Sequence, residues 1–114
     1  MSENRTTPAP ARALREADGA TVVAVSGEID LVSADALTAR LDTLTAGPRP
    51  DLVLDLRPAT FIDCAGLSVL CRARNRTLAR RGRLRLVADD STGLLRMLRL
   101  TGLGGVFEVH SRLP

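Results

Sequence analysis

The sequence is poor in aromatic residues, lysine, histidine and cysteine. Only Phe61 and Phe107 are aromatic among 114 residues, so we expect an aliphatic core. All sixteen basic residues are arginine, and the formal net charge is +3. His110 is the only histidine, and Cys64 and Cys71 lie too far apart on one helix to form a disulfide. Because histidine and cysteine are so scarce, we expect the protein to have no metal site and no disulfide framework.

Long apolar runs are also absent. No stretch approaches the roughly 20 apolar residues that a membrane-spanning helix needs, and residues 1–10 lack the apolar segment of a secretory signal. With 114 residues, 45% of them hydrophobic and 25% charged, the chain suits one folded domain. We therefore expect a cytoplasmic protein with no membrane partner, consisting of a disordered tail at 1–10 and one domain at 11–114.

Strand-like and helix-like patterns follow one another in the order β-β-α-β-α-β-α-β. The first two strands are predicted to form a hairpin closed by residues 17–20, where Asp18-Gly19 signals a turn. Further strands are predicted at 51–56, 84–87 and 106–109, and helices begin after the caps Ser33, Asp63 and Ser91. Helices that alternate with apolar strands predict an α/β domain with a mixed β-sheet backed by helices.

The second predicted helix has an apolar face and a basic face. Its apolar face is expected to contain Leu67, Leu70, Cys71, Arg74 and Leu78. Seven arginines lie between Arg72 and Arg85 without an acidic residue, a patch that suits nucleic acid phosphates. The chain has no Tyr or Trp for base stacking, so we interpret the arginines as a solvated helix face and expect no nucleic acid partner.

Two loops occupy the positions where α/β proteins commonly bind their partners. Residues 26–30 follow a buried strand, and residues 61–67 lead into the central helix. Asp63 is expected to cap this helix, Cys64 to be its first residue, and Gly66 to allow close approach of a neighbouring backbone. A negative group at position 64 would meet the positive end of the helix dipole, so the position suits a phosphorylation switch.

The segments Gly27-Glu28-Ile29-Asp30 and Phe61-Ile62-Asp63-Cys64-Ala65-Gly66-Leu67 resemble the STAS domain of bacterial anti-sigma factor antagonists. Thr101-Gly102-Leu103 matches a third family position, and the similarity spans about residues 11–110. The resemblance implies a partner-switching protein. Such a protein binds an anti-sigma factor, often a serine kinase of the histidine-kinase-like ATPase fold, and thereby releases a sigma factor to regulate transcription. Because His110 is the only histidine that could serve Cys64 as a base and no glycine-rich phosphate-binding motif is present, we expect neither an enzyme nor a cofactor.

The resemblance also implies a set of site residues and leaves the oligomeric state between a monomer and a weak dimer. The implied docking face consists of Glu28, Asp30, Asp63, Cys64, Ala65, Gly66 and Leu67. For two of these residues a purely structural role stays open. Asp63 could serve only as a helix cap, and Asp30 could serve only as a turn residue.

Cys64 departs from the family pattern, in which the residue after the loop aspartate is the serine that the kinase phosphorylates. Ala65 follows it, and Ser68 lies at a position where family members often carry glycine. We therefore predict that the usual phosphorylation switch does not operate at Cys64, so that binding is constitutive or is controlled by another input. We favour the interpretation that Cys64 is a small, tolerated replacement for serine. The alternative is that the protein is a thiol-based redox-sensing interaction module that uses Cys64.

Overall fold

The computed structural model describes residues 11–17 and 19–114, in which strands alternate with helices. The expected disorder of residues 1–10 lies outside the described residues. A short 3-10 helix at Asp90–Thr92 follows the sixth strand. The remaining elements are β1 (Ala11–Ala17), β2 (Ala20–Val25), β3 (Gly27–Ile29), α1 (Ala34–Leu44), β4 (Asp51–Asp55), β5 (Ala59–Ile62), α2 (Cys64–Ala79), β6 (Arg83–Val87), α3 (Leu94–Leu100) and β7 (Glu108–His110).

Five strands form the main sheet in the order β1-β2-β4-β6-β7. β1 runs antiparallel to β2 with Ala17 opposite Ala20, which confirms the predicted hairpin. The other neighbouring pairs are parallel, because each connection crosses over through a helix. The predicted α/β fold with a mixed sheet backed by helices is therefore confirmed.

Successive side chains along each strand point to opposite faces of this sheet. One face packs against the three helices and contributes most of the hydrophobic core, including Leu52, Leu54 and Leu86. Val53 points to the other face, where it forms a smaller buried cluster with Ala20, Val22 and Val87. The face of the sheet that lies opposite the three helices is called here the outer face.

Two short strands, β3 and β5, were not predicted from the sequence. They pair in parallel as a separate two-stranded sheet. β3 has three residues and β5 has four, too few for a recognisable alternation. β3 lies within the predicted loop 26–30, β5 overlaps the start of the predicted loop 61–67, and the two strands pair with each other.

The predicted inward face of α2 is wrong at Leu78, which is 48% exposed. The buried stripe of the helix instead continues through Leu70, Ala73 and Thr77. Each residue turns a helix by about 100°, so Leu78 lies well round from Thr77 and faces outward. Leu67 and Leu70 are buried as predicted, and Cys71 is half-buried against the core.

The predicted cap of α3 and the predicted final strand also need correction. Ser91 lies inside the 3-10 helix, where its backbone N–H donates to the Asp89 carboxylate at 2.9 Å, and Gly93 precedes α3. The last strand begins only at Glu108, although Phe107 before it is buried. Gly102 has the expected positive φ of 78° after the end of α3.

Candidate functional site

The two loops singled out in the sequence lie side by side in the structure. β3 pairs with β5 so that Glu28 is opposite Phe61 and Ile29 is opposite Ile62. The two isoleucines are buried, whereas Glu28 and Phe61 are exposed. The two-stranded sheet therefore has an inner side that anchors it to the core and an outer side that faces solvent.

Gly66 allows the end of β3 to rest directly on the first turn of α2. A Cβ atom at Gly66 would lie only 2.3 Å from the Ile29 carbonyl oxygen and 2.8 Å from the Ile62 Cγ1 atom. The same carbonyl accepts a hydrogen bond from the Asp63 backbone N–H at 3.2 Å. The predicted close approach at Gly66 is confirmed, and it holds the two loops in contact.

Asp63 caps α2 as predicted. Its backbone is extended, and its Oδ1 atom accepts a hydrogen bond from the Gly66 N–H at 3.0 Å. Cys64 is the first residue of the 16-residue helix and is exposed. The Asp63 carboxylate thus supplies an acceptor for one of the N–H groups that the first turn of the helix leaves without a partner in the helix.

Asp30 has a clear structural role in the loop between β3 and α1. Its Oδ1 atom accepts hydrogen bonds from the backbone N–H groups of Val32 at 3.1 Å and of Ser33 at 3.2 Å. The Ser33 hydroxyl accepts from the Asp30 N–H at 3.0 Å and donates to the Glu28 carbonyl at 2.7 Å. Ser33 precedes α1 as predicted, but its hydroxyl organises this loop and makes no cap bond to the helix.

The loop organised by Asp30 presents apolar side chains that are absent from the predicted docking face. Leu31 is 77% exposed and Val32 is 88% exposed, and Phe61 on the neighbouring β5 is 47% exposed. Phe61 is one of only two aromatic residues in the chain. The signal available in the sequence was an apolar pair directly after an aspartate turn, a place where burial is uncommon.

The seven residues implied by the family resemblance differ in accessibility. Glu28 and Cys64 are exposed, whereas Asp30, Asp63 and Ala65 are half-buried. Gly66 and Leu67 are buried, so they support the surface from behind and offer it almost no contact area. We use the name loop surface for Glu28, Asp30, Leu31, Val32, Phe61, Asp63, Cys64 and Ala65.

An open groove of about 610 Å³ continues from Cys64 along α2. Ser68, Cys71 and Arg72 line it, together with Leu103 from the segment after α3. The Ser68 hydroxyl donates to the Cys64 carbonyl oxygen at 3.0 Å, a bond within the helix. The third segment of the resemblance, which ends at Leu103, therefore reaches the same region as Cys64.

Four of the seven arginines in the basic patch form ion pairs with three carboxylates of neighbouring elements. Arg72 pairs with Asp42 of α1 at 2.8 Å, and its hydrogen bond holds the pKa of Asp42 below the usual range. Arg76 pairs with the same carboxylate at 3.2 Å. Farther along the patch, Arg83 pairs with a glutamate of β7 and Arg85 with an aspartate of β4.

The described residues offer neither a cluster of metal-ligating side chains nor a helix suited to cross a membrane. Residues 11–17 and 19–114 contain no group of three or more His, Cys, Asp or Glu side chains that could hold a metal ion. In the same part of the chain, no helix has both the length and the apolar character needed to cross a membrane.

Comparison with known proteins identifies the family of this chain. Residues 11–113 match the STAS domain family. Over 96 residues the chain is 31% identical to the anti-sigma-F factor antagonist RsfB of Mycobacterium tuberculosis, an alignment covering 84% of this chain and 77% of that protein.

Two solved structures are also similar to this chain. An anti-sigma factor antagonist from Mycobacterium paratuberculosis superposes with a TM-score of 0.76 at 34% identity, covering 89% of this chain and 85% of that one. A protein from Thermotoga maritima shares the fold alone, with a TM-score of 0.77 at 18% identity over 89% of this chain and 86% of its own. The paired loops, the mixed sheet and these similarities together establish that the chain belongs to the STAS domain family.

Proposed function

We propose that this protein is an anti-sigma factor antagonist that uses the loop surface to bind an anti-sigma factor. By occupying the anti-sigma factor, it releases the sigma factor through mass action and so regulates transcription. The observation that carries the proposal is the exposure of Leu31, Val32 and Phe61 beside the carboxylates of Glu28 and Asp63. Exposed apolar groups in a polar setting are typical of protein-binding sites, and aromatic residues are enriched there.

The names of the relatives described above support this proposal, since both relatives with more than 30% identity are named as anti-sigma factor antagonists. We place the activity in the cytoplasm, in a monomer or a weak dimer, and attribute it to binding alone. The partner we expect is an anti-sigma factor, in particular a serine kinase of the histidine-kinase-like ATPase fold.

A binding measurement with matched variants tests the loop surface. Leu31→Ser removes an apolar side chain from the loop, and Leu100→Ser removes one of nearly equal exposure, 76% against 77%, from α3. With the small histidine-kinase-like ATPase proteins of the source organism as partners, we expect Leu31→Ser and Phe61→Ala to weaken binding about tenfold or more. Leu100→Ser should leave the dissociation constant unchanged. Equal affinities for Leu31→Ser and Leu100→Ser would mean that the loop surface is not the docking site.

We further propose that phosphorylation does not control this protein at residue 64. A kinase transfers phosphate to a hydroxyl, and Cys64 offers a thiol; the nearby Ser68 hydroxyl is engaged with the Cys64 carbonyl. Incubation with the partner kinase and ATP should therefore leave the mass of the intact protein unchanged. A Cys64→Ser variant should gain about 80 Da, the mass of one phosphate. A gain in the unaltered protein that maps to residue 64 or 65 contradicts the proposal.

Redox sensing through Cys64 is a second candidate function, favoured by the exposure of this thiol on the loop surface. Cys71 is half-buried and serves as an internal reference in the same chain. Redox sensing requires that Cys64 react with iodoacetamide at pH 7 faster than a model thiol does. It also requires that mild peroxide change partner binding in the unaltered protein and not in Cys64→Ala. Absence of either effect leaves the cysteine as a replacement for serine.

A further inference from the structure

The edge of the main sheet that holds the loop surface is acidic. β2, β4 and β6 run parallel, so their carboxyl ends share this edge, and β2 leads there into β3. Of the arginines at the same edge, Arg57 is paired with Asp55, and Arg112 lies over the outer face. Within residues 19–114, every carboxylate that makes no ion pair belongs to a segment at this edge, namely Glu28, Asp30, Asp35, Asp63, Asp89 and Asp90.

The opposite edge of the sheet, where β4 and β6 begin, is basic. Arg49 lies just before β4, and Arg80 and Arg81 lie between α2 and β6. The Arg49 N–H donates to the Arg80 carbonyl oxygen at 3.0 Å, so these residues adjoin one another. All three are exposed, and they make no ion pair within residues 19–114. With the exposed Leu78 of the last turn of α2, they form what we call the basic end.

Two arginines of the basic end hold an unfavourable backbone conformation. Arg49 and Arg81 have positive φ angles of 47° and 60°, a region that glycine adopts far more readily than arginine does. Their segments are packed tightly together, because a Cβ at Gly82 would lie 2.1 Å from the Pro50 carbonyl oxygen. Unfavourable conformations that the surrounding structure enforces are concentrated at binding sites, which favours a binding role for these side chains.

We propose that the basic end of one copy of this chain docks on the loop surface of a second copy. The charges are complementary, since unpaired arginines would meet unpaired carboxylates. Both surfaces also expose apolar side chains, Leu78 on the basic end and Leu31, Val32 and Phe61 on the loop surface. α2 spans the distance between them, about 24 Å for 16 residues at 1.5 Å each. The contact is therefore head-to-tail and leaves one surface free at each end of a pair.

A head-to-tail contact that does not close into a ring adds further copies as the concentration rises. Exposed charges contribute little individually, so the association is weak, and the protein is a monomer or a weak dimer when dilute. The inference does not depend on the proposed function, because both surfaces carry their charges whatever the partner is. If the proposed function holds, a neighbouring copy competes with the anti-sigma factor for the loop surface.

Sedimentation velocity of the full chain, from micromolar to millimolar concentration, tests the inference without any partner protein. At low salt we expect the average mass to rise with concentration. At high salt this rise should disappear, because exposed charges are screened. A constant monomer mass at low salt overturns the inference and leaves the basic end to a different acidic protein.

Arg49→Gly combined with Arg81→Gly removes two charges from the basic end and should keep the fold, because glycine suits a positive φ. Arg40→Gln combined with Arg96→Gln is the matched control, since it removes the same charge from exposed arginines of α1 and α3. We expect the glycine variant to raise the dissociation constant for self-association about tenfold, as the loss of two exposed charge contacts implies. The control should not raise it, and equal dissociation constants for the two variants overturn the inference.

A mixing experiment distinguishes head-to-tail docking from other modes of association. Glu28→Arg combined with Leu31→Ser alters the loop surface and leaves the basic end intact. The glycine variant at Arg49 and Arg81 has the opposite combination. At a concentration at which each variant alone is monomeric, with its fold verified by circular dichroism, their mixture should form a dimer and nothing larger. Absence of this dimer, or the appearance of larger species, contradicts head-to-tail docking.

Discussion

Gly66 is required for a contact and not for an unusual backbone conformation. Its φ is not positive, and the nearest atom to a Cβ at this position is the Ile29 carbonyl oxygen at 2.3 Å. That oxygen belongs to β3 and is held by the Asp63 N–H, so it has little freedom to move away. A single missing methyl group therefore determines how closely the two loops of the proposed docking site approach each other.

Gly66→Ala should lower the free energy of unfolding by about 1–3 kcal/mol, the usual cost of forcing an extra carbon into a packed contact. The same variant should weaken partner binding, because β3 must shift away from α2. Gly104→Ala is the control, since no atom lies within 4 Å of a Cβ there. Urea denaturation of the two variants checks this; equal midpoints would show that the Ile29 contact is not restrictive.

At Asp63 the cap and the charge can be separated experimentally. Asp63→Ala removes the acceptor for the Gly66 N–H and should cost about 1 kcal/mol in stability. Asp63→Asn keeps an acceptor oxygen at the same place and should cost clearly less. If docking depends on the charge, both variants lose affinity for the anti-sigma factor, although Asp63→Ala loses more stability than Asp63→Asn does. Thermal unfolding and a binding isotherm on the same preparations distinguish the two roles.

At the scale of elements, arginines of α2 attach this helix to α1 in two unequal ways. Arg72 is 52% exposed, and among the described residues its guanidinium hydrogen-bonds to the Asp42 carboxylate alone. Arg76 is 30% exposed and also donates to the buried Thr45 hydroxyl at 3.0 Å and to the Asp42 carbonyl oxygen at 3.1 Å. An exposed ion pair contributes little, whereas partly buried hydrogen bonds contribute more.

We therefore expect Arg76→Ala to lower the free energy of unfolding by about 1 kcal/mol and Arg72→Ala by less than about 0.5 kcal/mol. The smaller effect of Arg72→Ala should disappear at high salt, because exposed charges are screened. Denaturant titrations at low and high ionic strength provide the measurement. A larger loss for Arg72→Ala would mean that the shared Asp42 carboxylate dominates the contact between the helices.

At the scale of the whole molecule, an ion pair between Glu108 and Arg83 links the last strand, β7, to its neighbour β6. Its hydrogen bond with Arg83, and then that with His110, lowers the pKa of Glu108 from 4.5 to about 2. Arg83 lies on β6 and Glu108 on β7, so the pair spans the final strand junction of the fold. A carboxyl whose pKa is lowered by folding stabilises the folded state only while it is ionised.

The stabilisation from Glu108 should be complete above pH 4.5 and should be lost as the pH falls toward 2. Glu108→Gln removes the ionisation and should flatten the decline of stability in this range relative to the unaltered protein. Urea midpoints measured from pH 6 down to pH 2 for both proteins give the comparison. Parallel curves would show that the Arg83 pair does not persist in solution.

Local interactions explain which features the sequence determined by itself. The Asp63 cap joins residues three positions apart, the hairpin needs only its turn, and Leu67 and Leu70 share a helix face through simple periodicity. The two motif loops were likewise recognisable, since their residues are contiguous. These features depend on neighbours along the chain, so the order of residues is sufficient to predict them.

Contacts between distant segments required the tertiary structure. The pairing of β3 with β5 and the ion pairs of α1 with α2 each join residues far apart in sequence. The exposure of Leu31, Val32 and Phe61 likewise follows from the way their loops lie across the core. A sequence pattern shows which residues can be buried, but packing in three dimensions decides which surfaces have no neighbour left to cover them.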